Sequence, residues 1–315
     1  SFTRQEKRDI VKILSLGSLN VDRVYNVEEF VSAGETISAQ KFEIFLGGKG
    51  FNQSIAIARA GIPVYHAGAV GEDGADLIAL LERENVHVDY LQRLDFPSGH
   101  AIIQVDRKGQ NSIIVYAGAN GAIEQAYIEQ TLARFDQGDL LLLQNEISNV
   151  GYAIQRAHEK GIRVVFNPSP VTQELLDYPL HLVDCFILNE LEGKALTGKT
   201  DYEEILSSLH SQYPGATLVL TVGRDGAIYR DSRQSIHHGI YNVPVVDTTA
   251  AGDTFCGYFV AGLFQGEPLE KILENASIAS SIAVSRKGAS ASIPTMKEVT
   301  AFQKMWEEKR RASVH

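Results

Sequence analysis

Two aspartates, Asp247 and Asp253, stand in the run VVDTTAAGDTFCG at 245–257, and every residue between them is small. Such a stretch does little for a core and suits a backbone that must approach a ligand closely. If Val245–Val246 end a strand and Gly252–Asp253 open a helix, the amides of Ala250, Ala251 and Gly252 form an anion-binding nest at the helix's positive end. A carboxylate beside that nest, Asp253, is placed to take a proton from a hydroxyl attacking a phosphate. An Asp in a first helical turn also serves as a cap or a dipole partner, so the run alone leaves both readings open.

Four other segments carry polar groups in suggestive spacing. In IFLGGKGFNQSIAIARAG, residues 44–61, a glycine cluster leads into an amphipathic helix, whose free N-terminal amides could meet a polar ligand. It is neither GxxxxGK[ST] nor GxGxxG, and a structural Gly-rich turn is the competing explanation. In SLGSLNVDRV, Asn20 and Asp22 share one face of an extended segment and form a donor–acceptor set for adjacent sugar hydroxyls, or simply an Asx turn. In ILNELEGKALTG, Asn189 ends a strand and Glu192 follows in the first helical turn, a spacing that equally makes a capping box. LTVGRDGAIY, residues 220–229, is a strand entering a glycine-bounded turn.

The elements that must position these groups alternate along the chain. Apolar runs predict strands at Ile13–Leu16, Val64–Ala67, Leu140–Gln144, Arg163–Asn167, Cys185–Asn189 and Thr217–Val222. Helical periodicity marks Asn52–Ala60, Ala75–Glu84, Tyr127–Phe135, Gly151–Lys160, Tyr202–Gln212, Thr254–Phe264 and Leu269–Val284. Strands apolar on both faces, such as LLLLQ, fit a parallel sheet covered by helices, so the predicted fold is α/β, doubly wound and mainly parallel. Residues 21–46 and 100–116 break the pattern with alternating, β-branched stretches and no helix. They predict a small second sheet, either a lid over the strand ends or an edge extension. MKEVTAFQKMWEEKRR reads as a terminal helix with Trp306 packed inward and no functional role.

Composition narrows the partners. The 315 residues carry a net charge of −10, which disfavours nucleic acid and anionic membrane surfaces. No apolar run approaches the ~20 residues of a membrane span. The opening SFTRQEKRDI lacks both an initiator Met and the apolar core of a secretory signal, so it reads as trimmed and the expected location is the cytoplasm. Cys185 and Cys256 form no metal or disulfide pattern, and His237–His238 reads as a solvated turn.

Taken together, the segments resemble the ribokinase-like, or PfkB, family of sugar kinases. GGKGFNQSIAIARAG is similar to its N-terminal signature and DTTAAGDTFCG to its C-terminal one, with NxD, NxxE and TxGxxG in the family's order. AGAN and SSIAVSRKGASASIP extend the likeness over nearly the whole chain, which then forms one kinase domain, 1–315, with its lid at about 21–46 and 100–116.

The resemblance implies transfer of the γ-phosphoryl of ATP to a primary hydroxyl of a small sugar, D-ribose first, under a lid that pairs with a second subunit's. Asn20, Asp22, Gly48, Lys49, Gly50, Asn52 and Glu146 match the positions that hold the sugar, and Asp253 the catalytic base. Ala250, Ala251 and Gly252 match the anion hole; Asn189, Thr221, Gly223, Gly226, Gly252 and Ser277 match the nucleotide side. Glu192 matches the residue that organises Mg²⁺ through water. Asp247, the carbonyls of Thr249, Ala283, Arg286 and Gly288, and Ser292 match a monovalent-cation site filled by K⁺. Phe51 and Tyr258 are bulkier than the family pattern, and Ser277 stands where Asn or His is expected. Phe51 either repacks the core or reshapes the pocket toward another furanose, a keto-sugar or a nucleoside. A non-catalytic nucleotide-binding regulator is the remaining alternative, set against the presence of Asp253, Glu192 and Gly252.

Overall fold

A computed structural model describes residues 11–314; the opening SFTRQEKRDI lies outside the described residues. The chain runs β1 (Ile13–Leu16), β2 (Asn20–Asn26), β3 (Lys41–Gly47), α1 (Lys49–Arg59), β4 (Tyr65–Ala67), β5 (Ala69–Val70), α2 (Ala75–Arg83), β6 (Gln92–Arg93), β7 (Gly99–Val105) and β8 (Asn111–Tyr116). It continues through α3 (Gln125–Leu132), β9 (Leu140–Leu143), α4 (Val150–Glu159), β10 (Arg163–Phe166), β11 (Cys185–Asn189), α5 (Glu190–Thr197), α6 (Tyr202–Gln212), β12 (Thr217–Thr221), β13 (Ala227–Arg230) and β14 (Ser235–His238). Three helices close it: α7 (Ala251–Gln265), α8 (Leu269–Val284) and α9 (Met296–Ala312).

The main sheet has the order β14-β13-β12-β11-β10-β9-β1-β4. Its β4-to-β12 portion is parallel, and β13 and β14 add an antiparallel edge. Successive strand residues feed opposite cores. Ile13, Leu140 and Leu142 pack with α1, α2, α7 and α8, whereas Leu14, Leu16, Leu141 and Leu143 pack with α3, α4 and α6. Helices on both faces explain why these strands carry no polar alternation.

From β1 the chain crosses to β4 on one side, while β9 pairs with β1 on the other. That reversal of strand order opens a crevice at the carboxyl ends of β1 and β9, where open α/β sheets bind ligands. The loops after both strands therefore deserve the functional groups, and they carry them.

The predicted second sheet is present, in the order β3-β2-β7-β8. Its two sequence-distant halves are joined by a parallel pairing of β2 with β7, from Asn20 opposite Gly99 to Asn26 opposite Val105. Three local expectations are corrected. Val245–Val246 end no strand: residues 239–246 are irregular, and both valines are exposed, at 70% and 60%. His237–His238 lie in β14 rather than in a turn, paired with Ile228 and Ala227. Trp306 is only half-buried, stacked on Phe302 and edge-on to Tyr241.

Candidate active site

The turn after β1 is pressed against the start of α1. A Cβ on Gly50 would sit 2.6 Å from the Ser18 amide, and one on Gly17 would sit 2.8 Å from the Gly50 Cα. Only glycine allows this approach, which brings the glycine-rich turn to the mouth of the switch-point crevice. Ser18 then fastens it. Its hydroxyl donates to Glu146 Oε1 at 2.7 Å and accepts from the Gly50 amide at 3.1 Å, while the Lys49 amide donates to the same Glu146 oxygen at 2.9 Å. Glu146 thus holds the turn from the loop after β9.

At the start of β2, Asn20 Oδ1 accepts from Asn120 Nδ2 at 2.7 Å, and Asn120 Oδ1 accepts from the Leu19 amide at 3.1 Å. Asn120 is 3% exposed and fixes which way the Asn20 amide faces. Asp22 lies on the same face of β2. Burial, with the Glu146 charge adding to it, pushes its carboxyl up to about 6. A carboxylate held in that state gains from any hydroxyl that donates to it.

Asp253 opens α7 at 7% exposure, with Asn52 Nδ2 donating to one oxygen and Gln53 Nε2 to the other, both at 3.0 Å. Burial raises its pKa above the usual carboxylate range, against the opposing pull of the Lys49 ammonium and these amide donors. Lys49 itself is held above its ordinary value by Asp253 first, with Glu146 and Glu192 adding to it and burial opposing. One ammonium therefore feels carboxylates from three separated segments, at 146, 192 and 253. The other Asn52 amide atom, Oδ1, is buried and finds no partner among the described residues, an acceptor left open for a donor from outside them.

Among the described residues no side chain caps α7, and the amides of Gly252 and Asp253 find no backbone acceptor. A Cβ on Gly252 would meet nothing within 4 Å. The open cradle with unclaimed N–H groups fits an anion at the helix's positive end. Glu192 is 4% exposed and closes a capping box: its carboxylate accepts from the Asn189 amide at 2.7 Å, and Asn189 Oδ1 accepts from the Glu192 amide at 3.0 Å. The capping-box explanation of NxxE is thus realised. Thr221 ends β12, with Gly223 and Gly226 at positive φ in the following turn. Ser277 is buried within α8.

Asp247 stitches two loops together. One oxygen accepts from the Thr249 amide at 2.9 Å and the other from the Gly288 amide at 3.1 Å. Burial alone would raise its carboxyl, but these donors and the Thr249 hydroxyl hold it below the usual range. Among the described residues no backbone N–H bonds the carbonyls of Thr249, Arg286 or Gly288, whereas that of Ala283 accepts from Arg286 at 3.1 Å. Ser292 Oγ donates to the Ala289 carbonyl at 2.7 Å. A carboxylate with unclaimed carbonyls is an all-oxygen donor set of the kind hard cations take.

Phe51 and Tyr258 both pack into the core. Phe51 is 0% exposed in the core, and the Tyr258 hydroxyl donates to the Pro294 carbonyl at 2.8 Å. Ser18, Gln53 and Asn120 escaped the sequence reading. All three lie within the segments SLGSLNVDRV, GGKGFNQSIAIARAG and AGAN, and a Gln in the apolar stripe of a helix is the one local signal.

Among the described residues no helix is long and apolar enough to cross a membrane. The model of the pfkB family carbohydrate kinases matches residues 11–296. The chain is 35% identical over 297 residues to ribokinase of Haemophilus influenzae, covering 91% of this chain and 96% of that protein. Among solved structures, ribokinase of Cryptococcus neoformans with ADP superposes with a TM-score of 0.83 at 32% identity, covering 92% of this chain and 99% of the other. Arabidopsis thaliana ribokinase with ribose and ATP gives 0.80 at 30% identity, covering 92% and 98%. A family match across almost all of the described chain, on a fold whose switch-point crevice gathers the signature residues, establishes that the chain belongs to the pfkB family of carbohydrate kinases.

Proposed function

We propose that the protein phosphorylates D-ribose on its primary hydroxyl with ATP. The observation that carries the reading is geometric: Asn52 and Gln53 of α1 hold the Asp253 carboxylate at 3.0 Å, and the Lys49 amide in the same first turn donates to Glu146 at 2.9 Å, all beside the open N-terminus of α7. Relatives named ribokinase at 35% identity support ribose over other sugars, and full burial of Phe51 removes the reason to expect a reshaped pocket.

In this reading Asn20, Asp22, Asn52, Glu146 and the Gly48–Gly50 turn hold the sugar hydroxyls. Asp253, buried beside them, receives the proton of the attacking hydroxyl, and burial brings its basicity closer to the working pH. Amides of Ala250 and Gly252 face the charge that builds on the transferred phosphoryl oxygens, joined by that of Ala251 if it leaves its 3.3 Å bond to the Thr248 carbonyl, and Lys49 adds a fixed positive charge on the sugar side. Asn189, Thr221, Gly223, Gly226 and the α8 surface around Ser277 line the nucleotide side. Mg²⁺ would be held through water near Glu192 and neutralises phosphate charge when bound; a single carboxylate already committed to a cap suits an outer-sphere role. K⁺ would be held by Asp247, Ser292 and the carbonyls of Thr249, Ala283, Arg286 and Gly288, steadying the loop that leads to the nest. The small sheet acts as a lid excluding water from the phosphoryl group. Its exposed Ile113, Ile114, Val115 and Tyr116 form an apolar edge suited to the lid of a second copy.

Asp253→Asn tests the chemical step. The expected result is ATP binding nearly intact with kcat at least ~10²-fold lower, the lower end of general-base contributions. Near-normal turnover by that variant rules out Asp253 as the base.

A further inference from the structure

Gln53 is not accounted for by sugar, nucleotide or cation binding, yet it is 0% exposed and every hydrogen-bonding position of its amide is used. Its Nε2 donates to Asp253 Oδ1 at 3.0 Å and to Asn167 Oδ1 at 3.2 Å. Its Oε1 accepts from Gln144 Nε2 at 2.7 Å and from the Cys256 thiol at 3.4 Å. The amide cannot turn over. Asn167 Nδ2 is committed to the Ile187 carbonyl at 2.8 Å, so Asn167 presents only its oxygen to Gln53. Cys256, one turn beyond Asp253 on α7, presents a thiol hydrogen to the other side. A flipped Gln53 would face oxygen against oxygen at both Asn167 and Asp253 and lose the Gln144 and Cys256 bonds.

We propose that Gln53 is a positioning residue for the phosphoryl-transfer step. Through an amide locked by Asn167 just after β10, Gln144 just after β9 and Cys256 of α7, it fixes the rotamer of the Asp253 carboxylate and keeps Oδ1 an acceptor only. With Asn52 holding Oδ2, the carboxylate plane is set by two donors from successive residues of α1. Because α1 begins in the glycine turn that meets Glu146, the base and the sugar-binding turn are held by one rigid element. The same contact plane explains the crowding behind it, where a Cβ on Gly257 would sit 2.8 Å from the Gln53 carbonyl oxygen.

The proposal rests on the assignment of Asp253 as base, and its test separates the two. Gln53→Met removes the donor to Asp253 while keeping side-chain length; Gln53→Glu keeps acceptors for Gln144 and Cys256 but sets a second carboxylate against Asp253; Gln144→Met removes a bond to Gln53 without touching Asp253. Rates with D-ribose and ATP are measured against pH, alongside ATP dissociation constants and melting temperatures. The other groups facing Asp253 are Lys49, Asn52, Glu146 and Cys256, all retained in these variants. Losing a donor to the ionised form raises the base's pKa, so the acid limb of kcat moves to higher pH in Gln53→Met. We expect kcat lower by ~10-fold or more at neutral pH, with KM for D-ribose and ATP affinity within about twofold. Gln53→Glu should fall further, and Gln144→Met should lose melting temperature while kcat and its acid limb stay put. If Gln53→Met or Gln53→Glu keeps the parental kcat and acid limb while Asp253→Asn is inactive, the role of Gln53 fails and the base assignment stands. An equal limb shift in Gln144→Met overturns the proposal by making the effect one of general packing. Should Gln53→Met not fold, Gln53→Glu and Gln144→Met decide on the same criteria.

Discussion

At the residue scale three carboxylates are shifted in two opposite directions. Asp253 is buried and raised, Asp247 is lowered by its amide donors, and Asp22 is raised to about 6 by burial and by Glu146. Asp22 makes the sharpest prediction because its value lies within an accessible pH range. If sugar hydroxyls donate to the ionised form, D-ribose affinity should strengthen as pH rises from 5 through about 6 and then level off. Asp22→Asn should flatten that dependence. The same shift has a stability side. A carboxyl raised on folding contributes most below its unfolded value and loses that contribution as pH rises through its folded value, at most about 3 kcal/mol here. Ligand-free Asp22→Asn should therefore gain melting temperature over the parent at pH 8 and not at pH 4. A pH-independent difference in both measurements counts against a titrating Asp22.

At the scale of elements, the loops that precede and follow the α7–α8 hairpin are tied to the rest of the molecule by polar contacts. Asp247 joins 249 to 288, and Arg59 at the end of α1 grips the carbonyls of Ser290 and Ile293 while paired with Glu84. If the unclaimed carbonyls there hold K⁺, phosphoryl transfer should rise severalfold when K⁺ replaces a bulky organic cation at equal ionic strength. Equal rates in the two salts dispose of the cation site. These elements also show what the sequence could and could not disclose. Strands buried on both faces and helices with apolar stripes were readable because their periodicity is the cause of their packing. The small sheet was readable from alternation, although its β2–β7 seam joins segments distant in sequence. Val245–Val246 end no strand despite the strand propensity of two adjacent valines, because among the described residues no neighbouring strand is there to pair them. Asp253, Lys49 and Glu146 could be singled out by motif, but the roles of Ser18, Gln53 and Asn120 as fasteners depend on contacts across up to 200 residues, which no local pattern encodes.

At the scale of the whole molecule, the parallel sheet is a platform whose switch point sets the cleft, and the small sheet carries a run of consecutive exposed apolar side chains on its edge strand, Ile113 to Tyr116. Ile114 and Val115 on its edge strand are 66% and 69% exposed, a liability for a protein that remains alone. Light scattering should give twice the chain mass, and Ile114→Glu should return it to that of one chain. A monomeric parent protein contradicts pairing through the small sheets. The central claim is catalytic and is tested most directly by ADP release across a panel of pentoses, keto-sugars and nucleosides, with Mg²⁺ and K⁺ present. The account predicts the highest kcat/KM for D-ribose, with the product phosphorylated on the primary hydroxyl. A nucleoside as preferred acceptor, or no turnover of any member by folded protein, would contradict it.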